Sequence, residues 1–315
     1  MQIIQAPRAS AIIYSLLMNA RDRRPWLLPA NICPIVPITF LKAKVPFELV
    51  DLSATSLQMD LDQAEALVRQ GRFGGLLYAH TYGESSTPNS FFERLKQITP
   101  DLLVIDDRCL CIPALEHDPD NRADVQLYST GYAKVVELNT GGYAFVSDEI
   151  DYRPARLAFN PQHHEEIEKS YKLAVSQRRR FFYFDNDWLE TDSALPTWDA
   201  YRERVEKKLM QSMEQRLSLN QIYASRLPWY IQLPDRFQTW RFNIQVKNRQ
   251  SMLDIIFSSG LFASSHYASL AGIMDAERAP RAEALAARVI NLFNDHHFSA
   301  AQAEQVCKVI SENFT

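Results

Sequence analysis

At 315 residues the chain is long enough for two packed lobes, and 46% apolar with 23% charged residues is ordinary globular usage, which excludes disordered and low-complexity architectures. Lys+Arg number 34 against 38 Asp+Glu, a net charge of −4 that argues against a nucleic-acid binder. The four cysteines, Cys33, Cys109, Cys111 and Cys307, form no CxxC pair, so structural zinc is not expected, no metal ligands are assigned, and a reducing cytoplasmic setting fits.

The first apolar segment, Ala11 to Met18, is too short to cross a membrane. Its basic flank at Arg21, Arg23 and Arg24 is unlike a signal cleavage site, so it reads as a buried helix. Short apolar runs then follow at Trp26 to Pro29, Phe47 to Leu52, Gly75 to His80, Leu102 to Asp106, Val125 to Ser129 and Tyr143 to Val146. Several lack polar alternation, as strands covered on both faces do. Helical patterns at Asp60 to Gln70 and Asn89 to Ile98 separate them. Strand and helix in alternation predict a largely parallel sheet with right-handed crossovers.

Beyond about Ile150 the pattern changes to charged helices at Glu165 to Arg180 and Asp199 to Tyr223, divided by an aromatic, turn-rich stretch from Phe181 to Trp198. A strand is expected over Thr239 to Val246 and helices over Ser251 to Ser258 and Ser299 to Asn313, the last opening on a Ser299/Gln302 capping box. The expected organisation is a large α/β domain over 1–155, a helical link over 156–225 and a smaller α/β domain over 226–315.

Seven of the nine glycines fall between Gly71 and Gly142, and Gly131, Gly141 and Gly142 bracket Lys134 just after a predicted strand. Ligands of parallel sheets bind beyond the carboxyl ends of the strands. Three such ends carry chemistry: Ala79-His80-Thr81-Tyr82-Gly83, Ile105-Asp106-Asp107-Arg108, and Ser129-Thr130-Gly131 leading to Lys134. Taken singly, a strand-end Asp is usually a turn former and a loop Lys is usually solvated, so their order and spacing carry the argument.

In that order the chain resembles the DegT/DnrJ/StrS sugar aminotransferases, a group of fold-type I pyridoxal-phosphate enzymes. The resemblance rests on Leu27-Leu28-Pro29-Ala30, a strand running to Asp51, the His80-to-Gly83 turn, and the acid-ended strand at Asp107. It continues with Ser129 five residues before Lys134, Gly141 and Gly142 seven and eight after it, and the His266-Tyr267 and Val289-Ile290-Asn291-Leu292 segments. It implies an α/β fold with a mostly parallel sheet plus a smaller C-terminal lobe. It also implies Lys134 as the covalent anchor of the cofactor aldehyde and as acid and base, with Asp107 pairing the pyridine nitrogen. Asp106 is the competing choice, one residue away and on the opposite strand face; the family register favours Asp107. Ser129, with Ser10 and Ala9 at a helix start, would hold the phosphate; His80 is a further cofactor-binding candidate, and Cys33 falls where the family stacks an aromatic on the ring. Arg241 is a candidate clamp for a donor carboxylate, with His266 and Tyr267 beside the substrate.

Several family features differ in this chain. Pro7, Arg8 and Ala9 replace the glycine of the first phosphate turn, Leu110 stands where a Gln or His approaches the cofactor hydroxyl, and Cys33 replaces a stacking aromatic. Asn139-Thr140 replaces Gly-Glu before the double glycine, and 159–217 matches poorly. The resemblance implies a cytoplasmic homodimeric aminotransferase moving an amino group from glutamate or glutamine to a keto-sugar nucleotide or other small carbonyl. Composite sites are expected near Asn139 and Phe181 to Trp188. Rival readings are a lyase, dehydratase or cyclase using the same cofactor, and a non-catalytic binding protein on the same fold.

Overall fold

The computed structural model describes residues 1–275 and 277–314. Its seven-stranded sheet is built from β1 (Gln2–Ala6), β2 (Trp26–Pro29), β3 (Phe47–Val50), β4 (Gly75–Ala79), β5 (Leu103–Asp107), β6 (Val125–Ser129) and β7 (Gly142–Val146), in the order β1-β7-β6-β5-β4-β2-β3. The pairs from β6 through β5, β4 and β2 to β3 are parallel, as the continuous apolar runs predict. β7 turns back antiparallel on β6, and β1 pairs antiparallel with β7, two features that the sequence pattern did not distinguish. β5 runs one residue further than its apolar run suggests and so includes Asp107.

The period of two divides the sheet's contacts. Leu76, Tyr78 and Val104 face α3 (Leu61–Val68) and α4 (Asn89–Ile98), where they pack with Phe91, Phe92 and Leu95. Leu77, Ile105 and Leu127 face the opposite core, which holds α1 (Ala9–Asn19) and α2 (Ile35–Ala43). α1 is buried from Ser10 to Leu17, as expected for a helix between the sheet and α2. Gly142 explains how α1 comes so close. A Cβ at that position would lie 2.3 Å from the backbone nitrogen of Ala9, so only glycine lets the start of α1 lie on β7.

α5 (Pro161–Ser176) starts at an Asn160 cap and Pro161, earlier than its charged stretch suggested. Ile167 and Ala174 bury it against the large core, which Phe181, Trp188 and Leu189 of the following irregular stretch also join. α6 (Trp198–Arg226) leads to a second sheet of order β8-β10-β9, made of β8 (Phe242–Gln245), β9 (Ala263–Ser264) and β10 (Val289–Leu292). α7 (Arg249–Ser258) and α9 (Ala300–Asn313) cover that sheet around Ile244, Ile256, Ile290 and Val306. α8 (Pro280–Ala286) packs back on the large core, and Asp51 accepts the backbone N–H groups of Arg281 and Ala282. The Ser299/Gln302 capping box forms as expected. No helix among the described residues is long and apolar enough to cross a membrane.

Candidate active site

A cavity of about 420 Å³ opens at the carboxyl ends of β4, β5 and β6. Its floor follows from side-chain parity. Ile105 and Leu127 point to the α1 side of the sheet, so Asp107 and Ser129, two residues further on, point the same way into the cavity. Lys134 reaches it from the loop after β6, and Ala9 and Ser10 reach it from the start of α1. Cys33, His80, His266 and Tyr267 complete the set expected from sequence that lines this space.

Electrostatics place the central groups in one microenvironment. Burial pushes the Cys33 thiol up, while the Lys134 charge pulls it down and the Asp107 charge adds to the rise. The Cys109 thiol is also raised by burial, then by Asp107, against the pull of Lys134. Neither thiol is therefore poised as a nucleophile. His266 is pushed down to about 4, first by burial and then by the charges of Arg241, Lys134 and Lys172, so its ring is neutral at pH 7. Tyr267 stacks on Trp240 with ring planes 9° apart.

The loop carrying Lys134 is fixed from both sides. The Trp240 indole N–H donates to the Ala133 carbonyl at 2.6 Å. The buried Arg216 of α6 donates to the Lys134 carbonyl at 3.1 Å and to the Ser212 hydroxyl at 3.1 Å, and it also donates to the Trp240 carbonyl and Asn294. Ser212 in turn donates to the Val135 carbonyl. Burial pulls Arg216 down to about 10, which leaves it charged at neutral pH. At the far end of the loop Gly141, at φ +97°, donates to the Pro7 carbonyl at 2.7 Å and ties the loop to the start of α1.

His80 borders the cavity, but its ring stands edge to face with Tyr78, the centroids 5.2 Å apart. Both ring nitrogens are used there, one on the Asp106 carboxylate at 2.6 Å and the other on the Glu84 carbonyl at 2.6 Å. Asp106 also accepts from Asn121 at 2.7 Å and Arg108 at 3.2 Å, so the choice between the two acids is resolved by their surroundings: Asp106 is enclosed in this network and Asp107 faces the cavity. Burial alone would raise the Asp106 carboxyl, but His80, Arg108 and Asn121 outweigh it and hold it below its ordinary value. Its stabilising effect is thus present above the unfolded carboxylate range and is lost as pH falls through the depressed folded value. Asp106→Asn is expected to cost about 3 kcal/mol in urea denaturation at pH 7; a loss under about 0.5 kcal/mol, the scale of a plain surface change, would contradict this account.

The expectation for Arg241 is corrected. Its guanidinium is buried, ion-paired with Asp295 and placed 4.0 Å from the centre of the Phe293 ring, and it does not line the cavity. Besides Lys134, the basic residues of the cavity are Arg8 and Lys172, which pair with Glu190 at 3.1 Å and Glu168 at 3.0 Å. One wall was not foreseen at all: His164, Glu168, Tyr171 and Lys172 along α5. Their signal lay in the i, i+4, i+7, i+8 spacing, which marks one face of a helix.

The donor set fits pyridoxal phosphate. Arg8 occupies the N-cap of α1 in an extended conformation without a side-chain cap, so the first N–H groups of the helix remain available to an anion beside Ser10. The Ser129 hydroxyl accepts only the Gly131 N–H, at 3.3 Å, among the described residues, and keeps its own proton to donate. A carboxylate and a lysine face the same cavity, the pairing that a pyridine nitrogen and an aldehyde require.

No protein-family model matches the chain, and no curated protein is similar to it in sequence. Solved structures are similar over nearly its whole length. A DegT/DnrJ/EryC1/StrS aminotransferase from Brucella abortus matches with a TM-score of 0.68 at 17% identity, over 99% of this chain and 86% of that one. The sugar aminotransferase CalS13 from Micromonospora echinospora matches at 0.70 and 14%, over 99% and 87%. DesI, solved in the presence of its TDP-sugar product, matches at 0.73 and 13%, over 98% and 80%. The fold is that of the sugar aminotransferases. This fold-type I architecture, with its mostly parallel seven-stranded sheet, is the one the order of motifs predicted.

Proposed function

We propose that this protein is a pyridoxal-phosphate-dependent aminotransferase that moves an amino group from an amino acid to a small carbonyl compound, with a keto-sugar nucleotide as the preferred acceptor class. The observation that carries this reading is the convergence of Lys134, Asp107, Ser129 and the uncapped start of α1 on one cavity at the carboxyl edge of the sheet. Bound there, the cofactor supplies an electron sink for the negative charge left when the donor loses its α-proton. Lys134 would anchor the cofactor aldehyde, and its freed amine would serve as acid and base for the proton shift. Asp107 would keep the pyridine nitrogen protonated. Ser10, Ala9 and Ser129 bind the phosphate, the first two at the positive end of α1. Cys33 gives the ring a small apolar contact, while His266 and Tyr267 border the substrate side. With Arg241 committed to Asp295, Arg8 and Lys172 are the groups left to receive a donor carboxylate.

The likeness to structures whose names specify sugar aminotransferases supports the acceptor class, DesI with its TDP-sugar product in particular. A cytoplasmic homodimer is part of the same proposal. Exposed Phe182 and Phe184 in the stretch before α6, and exposed Tyr132 near Lys134, are apolar surface that a second subunit would cover. Sedimentation at assay concentration is expected to give a dimer, and an active monomer would refute this part.

The decisive test mixes cofactor-loaded protein with glutamate or glutamine in a single turnover, followed by absorbance and mass of the released cofactor. Loss of the visible chromophore, with the cofactor's amine form recovered, is the expected result. Ammonia and keto acid with the cofactor still aldehydic would turn the reading to elimination. A protein that takes up no cofactor would turn it to a non-catalytic relative.

A further inference from the structure

We propose that Glu137, His296 and His297 form a binding site for one divalent cation of the zinc type, outside the cavity, bridging the Lys134 loop to the turn between β10 and α9. The three residues present ligand atoms that all lie within 4.8 Å of one another. Both carboxylate oxygens of Glu137 lie 3.4 Å from Nε2 of His297. Two ligands of a tetrahedral zinc, each bound at 2.0–2.1 Å, are separated by about 3.4 Å. Two imidazoles and one carboxylate, with a fourth position for water, form a donor set suited to zinc and unsuited to magnesium or calcium, which favour oxygen ligands.

His296 and His297 are the two central residues of a turn closed by the Phe298 N–H on the Asp295 carbonyl at 3.0 Å. Here the two rings share one side, with centroids 4.0 Å apart. Asp295 accepts the His297 N–H at 3.1 Å and fixes that bend, and the same Asp295 pairs with Arg241. Glu137 is also held in place, because Oε2 accepts the Ala133 N–H at 2.9 Å, the orienting contact that a metal-binding carboxylate usually has. Glu137 and His296 open on a second cavity of about 210 Å³, which Lys208 also lines. The Lys208 ammonium opposes a bound dication, and it sets a sign that the test can read.

The experiment is equilibrium dialysis of the cofactor-loaded full chain, freed of excess cofactor, against micromolar Zn²⁺ in a non-chelating buffer. Metal per chain is read by elemental analysis, and melting temperature is read alongside. One zinc per chain and a raised melting temperature are expected. His297→Ala and Glu137→Gln should each weaken binding about tenfold or more, whereas Lys208→Ala should strengthen it. His297 is 40% exposed, so its variant is expected to fold; His296→Ala gives an independent second arm. His117→Ala, remote from the cluster, should leave binding unchanged. The proposal is overturned if no zinc is retained, or if zinc binding is undiminished in the His297→Ala, Glu137→Gln and His296→Ala variants.

Discussion

Lys134→Ala is expected to abolish covalent attachment of pyridoxal phosphate and to lower the amino-transfer rate by at least about a hundredfold, the lower end of what a positioned acid–base group contributes. The loss should be larger than that for any other single side chain in the cavity, because one amine is assigned both the covalent anchor and the proton transfer. Stability is expected to stay within about 0.5 kcal/mol of the parent, the range of a change that breaks no buried contact. The loop is held by the Lys134 carbonyl, the Ala133 carbonyl and the Ala133 N–H, and the substitution keeps all three backbone groups. The check is borohydride reduction of the loaded parent and variant, followed by peptide mass mapping, with urea denaturation in parallel. An adduct on Lys172, the other lysine of the cavity wall, would move the assignment to α5.

The parts of this site that could be read from the sequence are those where local spacing and sheet parity determine direction. Ser129, Lys134, Gly141 and Gly142 lie within fourteen residues, and their spacing around one strand end places the loop without knowledge of the rest. The same parity that sends Asp107 into the cavity sends His80 to the other face with Asp106. Counting from Tyr78 thus foretells that the His80 ring pairs with Asp106, although His80 still borders the cavity. Arg241 could not be judged from its strand pattern, because its partner Asp295 is distant in sequence and reaches it only through the pairing of β8 with β10. α2 escaped notice because Ile35-Val36-Pro37-Ile38-Thr39 is a poor helix sequence, with β-branched residues and an early proline; burial against α1 and the sheet outweighs that propensity. The α5 wall lay in the segment without family motifs, where a polar helix face looks the same whether it meets solvent or a cavity.

Arg216→Met is expected to destabilise the fold by at least about 3 kcal/mol, far more than Lys134→Ala and no less than Asp106→Asn. The guanidinium is a buried donor shared by the Lys134 and Trp240 carbonyls, Asn294 and Ser212, and each buried acceptor left unpaired costs about 1–3 kcal/mol, with incomplete additivity. Methionine fills most of the volume, so the loss measures hydrogen bonding and not a void. Arg216→Lys separates charge from geometry. A lysine restores the positive charge but presents a single ammonium in place of a planar fork, and it cannot reach the Lys134 carbonyl and Asn294 together. Its stability should fall between parent and methionine. If Arg216 positions Lys134, the lysine variant should also lose turnover while it is still fully folded, and added cofactor should not restore the rate. A purely structural role would instead leave the turnover of the folded fraction unchanged. Urea denaturation beside steady-state rates at saturating cofactor distinguishes the two. A methionine variant as stable as the parent would show that the Trp240 indole, through its bond to Ala133, holds the loop on its own.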